Sequence, residues 1–370
     1  MGVADWAFSP ARTLLPLQVA GHDIVERLGR ASEPVAAGFE DFVRADVGGP
    51  FDATASELGP FVTAWRFRAG RSTAAPAVLV PPASGYAAGV TSPLVATLLR
   101  HRPVVALDWK DARLVPQKAG PFGLGDQIHA VETAVRQAGP GAVVVGLSQS
   151  VIAAVAGAAL AAAGGIRPAA LILLAGPFDT REGGHSLSTF LRLQPLVQME
   201  AQFTTQVPMR YPGAGRRVYP GLLQLLAYAL SNPQLYIENQ AGLFAELVAG
   251  EPGLRAREHR DLHSLCDVPA ELFLDTVVAA YREHALVRNR LAFDGRRVDL
   301  GALRGIQLLT LELTADELVG RGQTHAAVDH LPHGGARRVT VEGGRHHEAF
   351  TGDRFFAAVA PHLDDLLMAA

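Results

Sequence analysis

The sequence predicts an α/β fold: a mostly parallel sheet with helices on both faces and a helical cap insertion. Three observations lead there. Short runs that are apolar throughout alternate with helix-like stretches, the pattern of strands buried on both faces of a parallel sheet. The alternation breaks once, between about Phe178 and Arg304, where helix formers and prolines dominate and no strong strand appears. The chain has 370 residues, 49% hydrophobic and 19% charged, enough to bury a sizeable core.

Residues 1–60 show helical spacing of apolar positions and few strand signals, so an N-terminal helical segment is expected. The apolar runs that follow are Val62–Phe67, Val78–Val80, Val104–Trp109, Val143–Gly146, Ala169–Ala175, Ile306–Leu313 and Val339–Glu342. Helical patterns lie between them, notably Leu124–Gln137 and Gln149–Ala163. Residues 61–177 and 305–370 are therefore expected to form the core. Residues 178–304 would form a cap over the C-terminal edge of the sheet, where open α/β sheets bind ligands. The longest apolar run, Val151 to Ile166, is too short and too rich in Ala and Gly for a membrane span, and reads as a buried helix.

Charge and cysteine usage narrow the classes further. With 33 basic and 36 acidic residues the formal net charge is −3, which gives no reason to expect nucleic acid or an anionic membrane as partner. Cys266 is the single cysteine, which excludes an intrachain disulfide and a cysteine-based zinc site. Met1 to Arg12 lacks a basic leader followed by an apolar core, so no secretory signal is expected and the cytoplasm is the expected compartment. There is no P-loop and no dinucleotide fingerprint, and no cofactor is expected.

The chemistry concentrates at Gly146-Leu147-Ser148-Gln149-Ser150, which runs from a β-branched strand straight into an Ala-rich helix. It resembles the nucleophile elbow G-x-S-x-G with Ser at the last position. A serine on a tight strand-to-helix turn is presented to substrate, and small neighbours let the helix approach the strand. Gly-x-Ser also occurs at Gly70–Ser72 and Gly184–Ser186, but only Ser148 has an apolar strand before it and a long helix after it. A helix cap is the plain structural alternative for Ser148.

A serine hydroxyl needs a base, and in this arrangement acid and histidine follow the serine in that order. Asp316 lies just beyond the strand Ile306–Leu313, and His346 lies in a glycine-containing loop after the strand Val339–Glu342. Both fall at the strand edge that carries Ser148. Glu317 and Asp179 remain alternative acids, and His347 an alternative base. An oxyanion hole would use the backbone N–H of Gln149 and that of Ala83 or Ser84, since Pro81 and Pro82 cannot donate.

At these segments the chain resembles the intracellular polyhydroxyalkanoate (polyhydroxybutyrate) depolymerase family of the α/β-hydrolase fold. The resemblance is carried by Pro81–Tyr86, Asp108–Pro116, Phe122–Leu124, Gly146–Gln149, Leu174–Arg181, Arg216–Gln224, Asp267–Thr276, Gly322–Thr324 and His346–Gly352. It implies hydrolysis of poly(3-hydroxybutyrate) or a similar short-chain polyester, with the polymer or its granule surface as partner. It places Ser148, Asp316 and His346 on the family's nucleophile, acid and histidine. Many relatives carry cysteine where this chain has Ser148; serine depends more on its base, because its proton is harder to remove. A carboxylesterase acting on small or oligomeric 3-hydroxy esters, and a synthase-like acyltransferase, are the alternative activities. A homodimer stays open.

Other signals are weaker. Glu258, His259 and His263 share a face if that stretch is helical, but a third convincing metal ligand is missing and a solvated charged face is the better reading. Cys266 falls in the expected cap, away from the elbow, and reads as a packed thiol.

Overall fold

The computed structural model describes residues 39–85, 87–249, 265–351, 357–358, 361–363 and 365–366. An eight-stranded sheet forms the centre, in the order β1-β2-β4-β3-β5-β6-β12-β13. These strands are β1 (Asp52–Gly59), β2 (Val62–Arg68), β3 (Ala77–Val80), β4 (Val104–Trp109), β5 (Val143–Leu147), β6 (Ala170–Leu174), β12 (Gln307–Leu313) and β13 (Gly335–Val341). β1, β2 and β4 pair antiparallel, whereas every pairing from β4 to β13 is parallel. This is the α/β-hydrolase architecture.

Strands β3, β5 and β6 are buried at every position, because helices cover both faces. On one face lie α1 (Phe39–Val47) and α2 (Ala87–Leu99); on the other lie α3 (Leu124–Ala138) and α4 (Val151–Ala163). The alanines and Gly157 of α4 are what let it sit deep. A Cβ at Gly157 would come 2.6 Å from Val131 Cγ1 and 2.9 Å from the Glu132 amide nitrogen, so only glycine permits that approach to α3. The buried Glu132 carboxylate at this contact accepts from Arg136 at 2.9 Å and from Arg296 at 2.8 Å through both oxygens. A buried charge is tolerated when it is paired in this way.

The expected helical segment over residues 1–60 needs correction. Residues 1–38 lie outside the described residues, α1 is a helix, and residues 52–59 form the edge strand β1. β1 has no fully buried position and is built from Ala, Ser, Thr and Glu, so it lacks the apolar alternation that marks a half-buried strand. Its partner β2 and the turn at Gly59–Pro60 hold it. β13 also begins earlier than expected, at Gly335, because its first half is polar and lies at the opposite sheet edge.

Between β6 and β12 the chain forms α5 (Ser186–Leu193), α6 (Leu196–Phe203), α7 (Gly221–Ser231), α8 (Pro233–Ala249) and α9 (Ala270–Thr276), which continues as a π-helical turn Val277–Arg282. Short ribbons interrupt these helices: β7 (Thr205–Gln206), β8 (Arg217–Tyr219) and β9 (Val268–Pro269) form one, β10 (Ala292–Phe293) and β11 (Arg296–Arg297) another. Strands of two or three residues are too short to show a period of two, so the sequence did not reveal them. Arg216, a buried member of the Arg216–Gln224 stretch, donates to the carbonyls of Val115, Pro116 and Gly120 and lies over the Phe61 ring. That stretch therefore fastens the inserted helices to the loop after β4.

Candidate active site

Ser148 stands where β5 ends, in a single 3₁₀ turn, Ser148–Ser150, that leads into α4. Its backbone is left-handed, with φ 49°, a costly conformation for a residue with a side chain. The surroundings enforce it. A Cβ at Gly146 would come 2.6 Å from Ala154 Cβ and 3.2 Å from Val151 Cα, so strand and helix meet more closely than any other residue allows. A Cβ at Gly176, beyond β6, would come 2.7 Å from the Ser148 carbonyl oxygen. Gly176 is itself clamped: its N–H donates to Thr324 Oγ1 at 2.9 Å, and the Thr324 hydroxyl donates back to its carbonyl at 2.8 Å. Ser150, where the elbow pattern has glycine, is fully buried and accepts from Gln127 Nε2 at 3.3 Å. A small polar side chain fits that position.

Ser148 Oγ lies 2.9 Å from His346 Nε2. His346 Nδ1 in turn lies 2.8 and 3.0 Å from the two carboxylate oxygens of Asp316. A carboxylate only accepts, so Nδ1 carries the ring proton and Nε2 is left as acceptor for the serine hydroxyl. Asp316 is fixed by the loop that holds it, its Oδ1 accepting from the N–H of Leu318 and of Val319, both at 2.8 Å. Both acid and histidine side chains are almost wholly buried. Burial by itself would lower the His346 pKa, but the charge and hydrogen bond of Asp316, with the charge of Glu317 added, raise it above the ordinary imidazole value.

The alternative residues have other positions. Asp179 is held by Arg181, at 2.6 Å, and lies 3.5 Å from His330, with no bond to His346. Glu317 accepts from the His346 backbone N–H rather than from its ring. Gln149 follows Ser148 at the mouth of α4, where the backbone N–H groups and the helix dipole are positive. Ala83 and Ser84 lie in the loop after β3, whose Val80 is in register with Gly146 of β5, so this loop stands beside the elbow. The loop is anchored from two sides: Trp109 Nε1 donates to the Pro81 carbonyl at 2.9 Å, and the Cys266 N–H donates to the Ser84 carbonyl at 3.0 Å. Trp109 thus gives the Asp108–Pro116 stretch a physical role. Cys266 is buried, and burial first, with the charges of Asp111, Asp108 and Asp267, pushes its thiol pKa well up.

Two contacts with the site were missed by sequence reasoning. Tyr228 of α7 donates to Glu317 Oε1 at 3.1 Å, and Arg345, beside His346, donates to Asn239 Oδ1 of α8 at 3.3 Å. Both join residues about a hundred positions apart, with no local pattern to signal them. Among the described residues no group of His, Cys, Asp and Glu is placed to hold a metal ion; Glu258, His259 and His263 lie outside them.

Comparison with known proteins follows the same lines. A carboxylesterase structure from the ammonia-oxidizing thaumarchaeon Nitrososphaera gargenis is 14% identical with a TM-score of 0.51, covering 86% of this chain and 99% of that one. A mutant haloalkane dehalogenase from Agrobacterium tumefaciens C58 is 11% identical with a TM-score of 0.51, covering 88% and 99%. At such identities they show a shared fold and nothing finer. No curated protein matches the chain. The family described as "PHB de-polymerase C-terminus" matches residues 175–370. That match takes in more than half of the chain, including Asp316 and His346, and the protein belongs to this family of α/β hydrolases.

Proposed function

We propose that the protein hydrolyses the ester bonds of poly(3-hydroxybutyrate) or a similar short-chain polyhydroxyalkanoate through an acyl-serine intermediate. The observation that carries this reading is the Ser148–His346–Asp316 chain of contacts in a polyhydroxybutyrate depolymerase family member. His346 Nε2 takes the hydroxyl proton as Ser148 Oγ attacks the ester carbonyl. The N–H of Gln149, with that of Ala83 or Ser84, holds the oxyanion. Collapse of the tetrahedral intermediate breaks the C–O bond, and His346 returns the proton to the departing alkoxide. Water, deprotonated by the same histidine, then releases the 3-hydroxyacyl group and restores Ser148. Asp316 keeps the tautomer and stabilises the transient imidazolium.

The surface of α8 supports contact with an apolar polymer. Ile237, Phe244 and Val248 are exposed and, with Ala241, recur at the spacing of one helix face. Residues 220–250 include no Lys, Arg or His, which disfavours an anionic lipid surface. No described helix is long and apolar enough to cross a membrane. We place the protein on polymer granules in the cytoplasm.

The test is incubation with amorphous poly(3-hydroxybutyrate), wild type beside Ser148→Ala, with products resolved by mass. Hydroxy acids or oligomers should appear with wild type and fall at least about a thousandfold with the variant. Equal release by both proteins would overturn the mechanism. Release only from small or oligomeric 3-hydroxy esters would replace the polymer by those substrates, and release dependent on a coenzyme A thioester would point to acyl transfer.

A further inference from the structure

The segment that carries His346 is gripped from above by α7 and α8. Glu317, next to Asp316, bridges the two layers with its two oxygens. Oε1 accepts from the Tyr228 hydroxyl of α7 at 3.1 Å, and Oε2 accepts from the His346 backbone N–H at 3.1 Å. A second link runs parallel to it, from Arg345 to Asn239 Oδ1 at 3.3 Å and to Glu238 Oε2 at 3.6 Å, both on α8. Asp316 fixes the imidazole ring and Glu317 the backbone of the same residue. The carboxylate that fixes the backbone is in turn fixed by the inserted helices.

We propose that Glu317 is a positioning residue: together with Tyr228 it ties the backbone of His346 to the α7–α8 hairpin, so the hairpin's seating sets where the base stands. This deepens the reading of the site as a serine esterase and rests on it. A histidine that must reach Ser148 Oγ at hydrogen-bond distance loses rate steeply when displaced, because a shift near 1 Å can cost about a hundredfold. The hairpin is also the part that presents the apolar face of α8. Substrate that seats the hairpin therefore also seats the base.

The groups that face His346 decide what a titration will read. Among the described residues they include Asp316 and Glu317 after β12, His185 before α5, Ser148 after β5 and, beside Asp316, Tyr281 of the π-helical turn. Tyr228 of α7 bonds to Glu317, and the guanidinium of neighbouring Arg345 is engaged with α8. Glu317→Gln removes one negative charge that favours the imidazolium. The His346 pKa should fall and the acid limb of kcat/KM should move to lower pH. Tyr228→Phe removes the tie without changing the charge.

The experiment uses the full chain with a soluble p-nitrophenyl ester, and follows His346 by NMR in ¹⁵N-histidine-labelled protein, its resonance assigned from His346→Gln. Glu317→Gln should lower kcat by about ten- to a hundredfold with KM within twofold, and should shift the titration downward. Tyr228→Phe should lower kcat as well, and the double variant should be no worse than Glu317→Gln, since both act through one bridge. Unchanged kcat and an unmoved titration in folded Glu317→Gln would overturn the proposal. Additive losses in the double variant would separate Tyr228 from Glu317 and overturn the link to the hairpin. The NMR readout needs no substrate: a changed His346 resonance in Tyr228→Phe, which alters no charge, in a protein that hydrolyses no ester would keep the positioning role and sink the esterase reading instead.

Discussion

Asp316 meets His346 with both carboxylate oxygens, at 2.8 and 3.0 Å from Nδ1, while its Oδ1 also takes two backbone N–H groups from Leu318 and Val319. The acid is thus locked in place before it orients anything. Burial would lower the His346 pKa, but the charge and hydrogen bond of Asp316, together with the charge of Glu317, leave it raised. A neutral base is needed, so kcat/KM should rise with pH through a value above the ordinary imidazole pKa of about 6.5. Asp316→Asn should cost about 10³- to 10⁴-fold in kcat and move that limb to lower pH. Rate profiles on a soluble ester check both.

Gly146 sits where β5 and α4 nearly touch. Gly146→Ala puts a methyl 2.6 Å from Ala154 Cβ and close to the backbone of Val151. α4 must then move outward and carry the elbow with it. The expected loss is about 1–3 kcal/mol in urea unfolding, with a drop in kcat larger than the change in KM.

Asp179 gives a signature in acid. Burial pushes its pKa up, but the hydrogen bonds and charge of Arg181, helped by His330, leave it net below the ordinary value. A carboxylate with a depressed folded pKa contributes stability above its unfolded pKa of about 3.9, and that stability is lost as pH falls through the folded value. Arg181→Gln should therefore cost about 1–3 kcal/mol at pH 7, and its deficit against wild type should close as pH falls, because burial then raises the Asp179 pKa and protonation relieves the unpaired carboxylate. Urea midpoints at pH 7, 5 and 3 measure this.

The apolar face of α8 separates polymer from soluble ester. Ile237→Glu with Phe244→Glu changes two exposed positions and leaves the core alone. Sedimentation with amorphous granules should fall at least about tenfold, while hydrolysis of a p-nitrophenyl ester stays within twofold. Undiminished sedimentation would show that another surface meets the polymer.

The central strands were legible because they are apolar at every position, as strands between two helical layers must be. Ser148 was legible because its strand, turn and helix are contiguous. β1 was not, since an exposed edge strand of Ala, Ser, Thr and Glu carries no periodic signal. Among neighbouring carboxyls, the sequence favoured Asp316 as the acid and kept Glu317 as an alternative. Only the tertiary structure gives one the ring and the other the backbone of His346. Tyr228 left no trace at all, because its partner is 89 positions away.

The serine and its histidine are 198 positions apart, and the histidine follows β13, the edge strand of the parallel half of the sheet. During synthesis the elbow is translated long before its base. On the proposed mechanism, a growing chain that has already packed β5 against α4 carries the serine hydroxyl without its base. Contacts between distant segments also form slowly. In refolding experiments, recovery of hydrolysis should lag recovery of helix and report the moment at which the last strand docks.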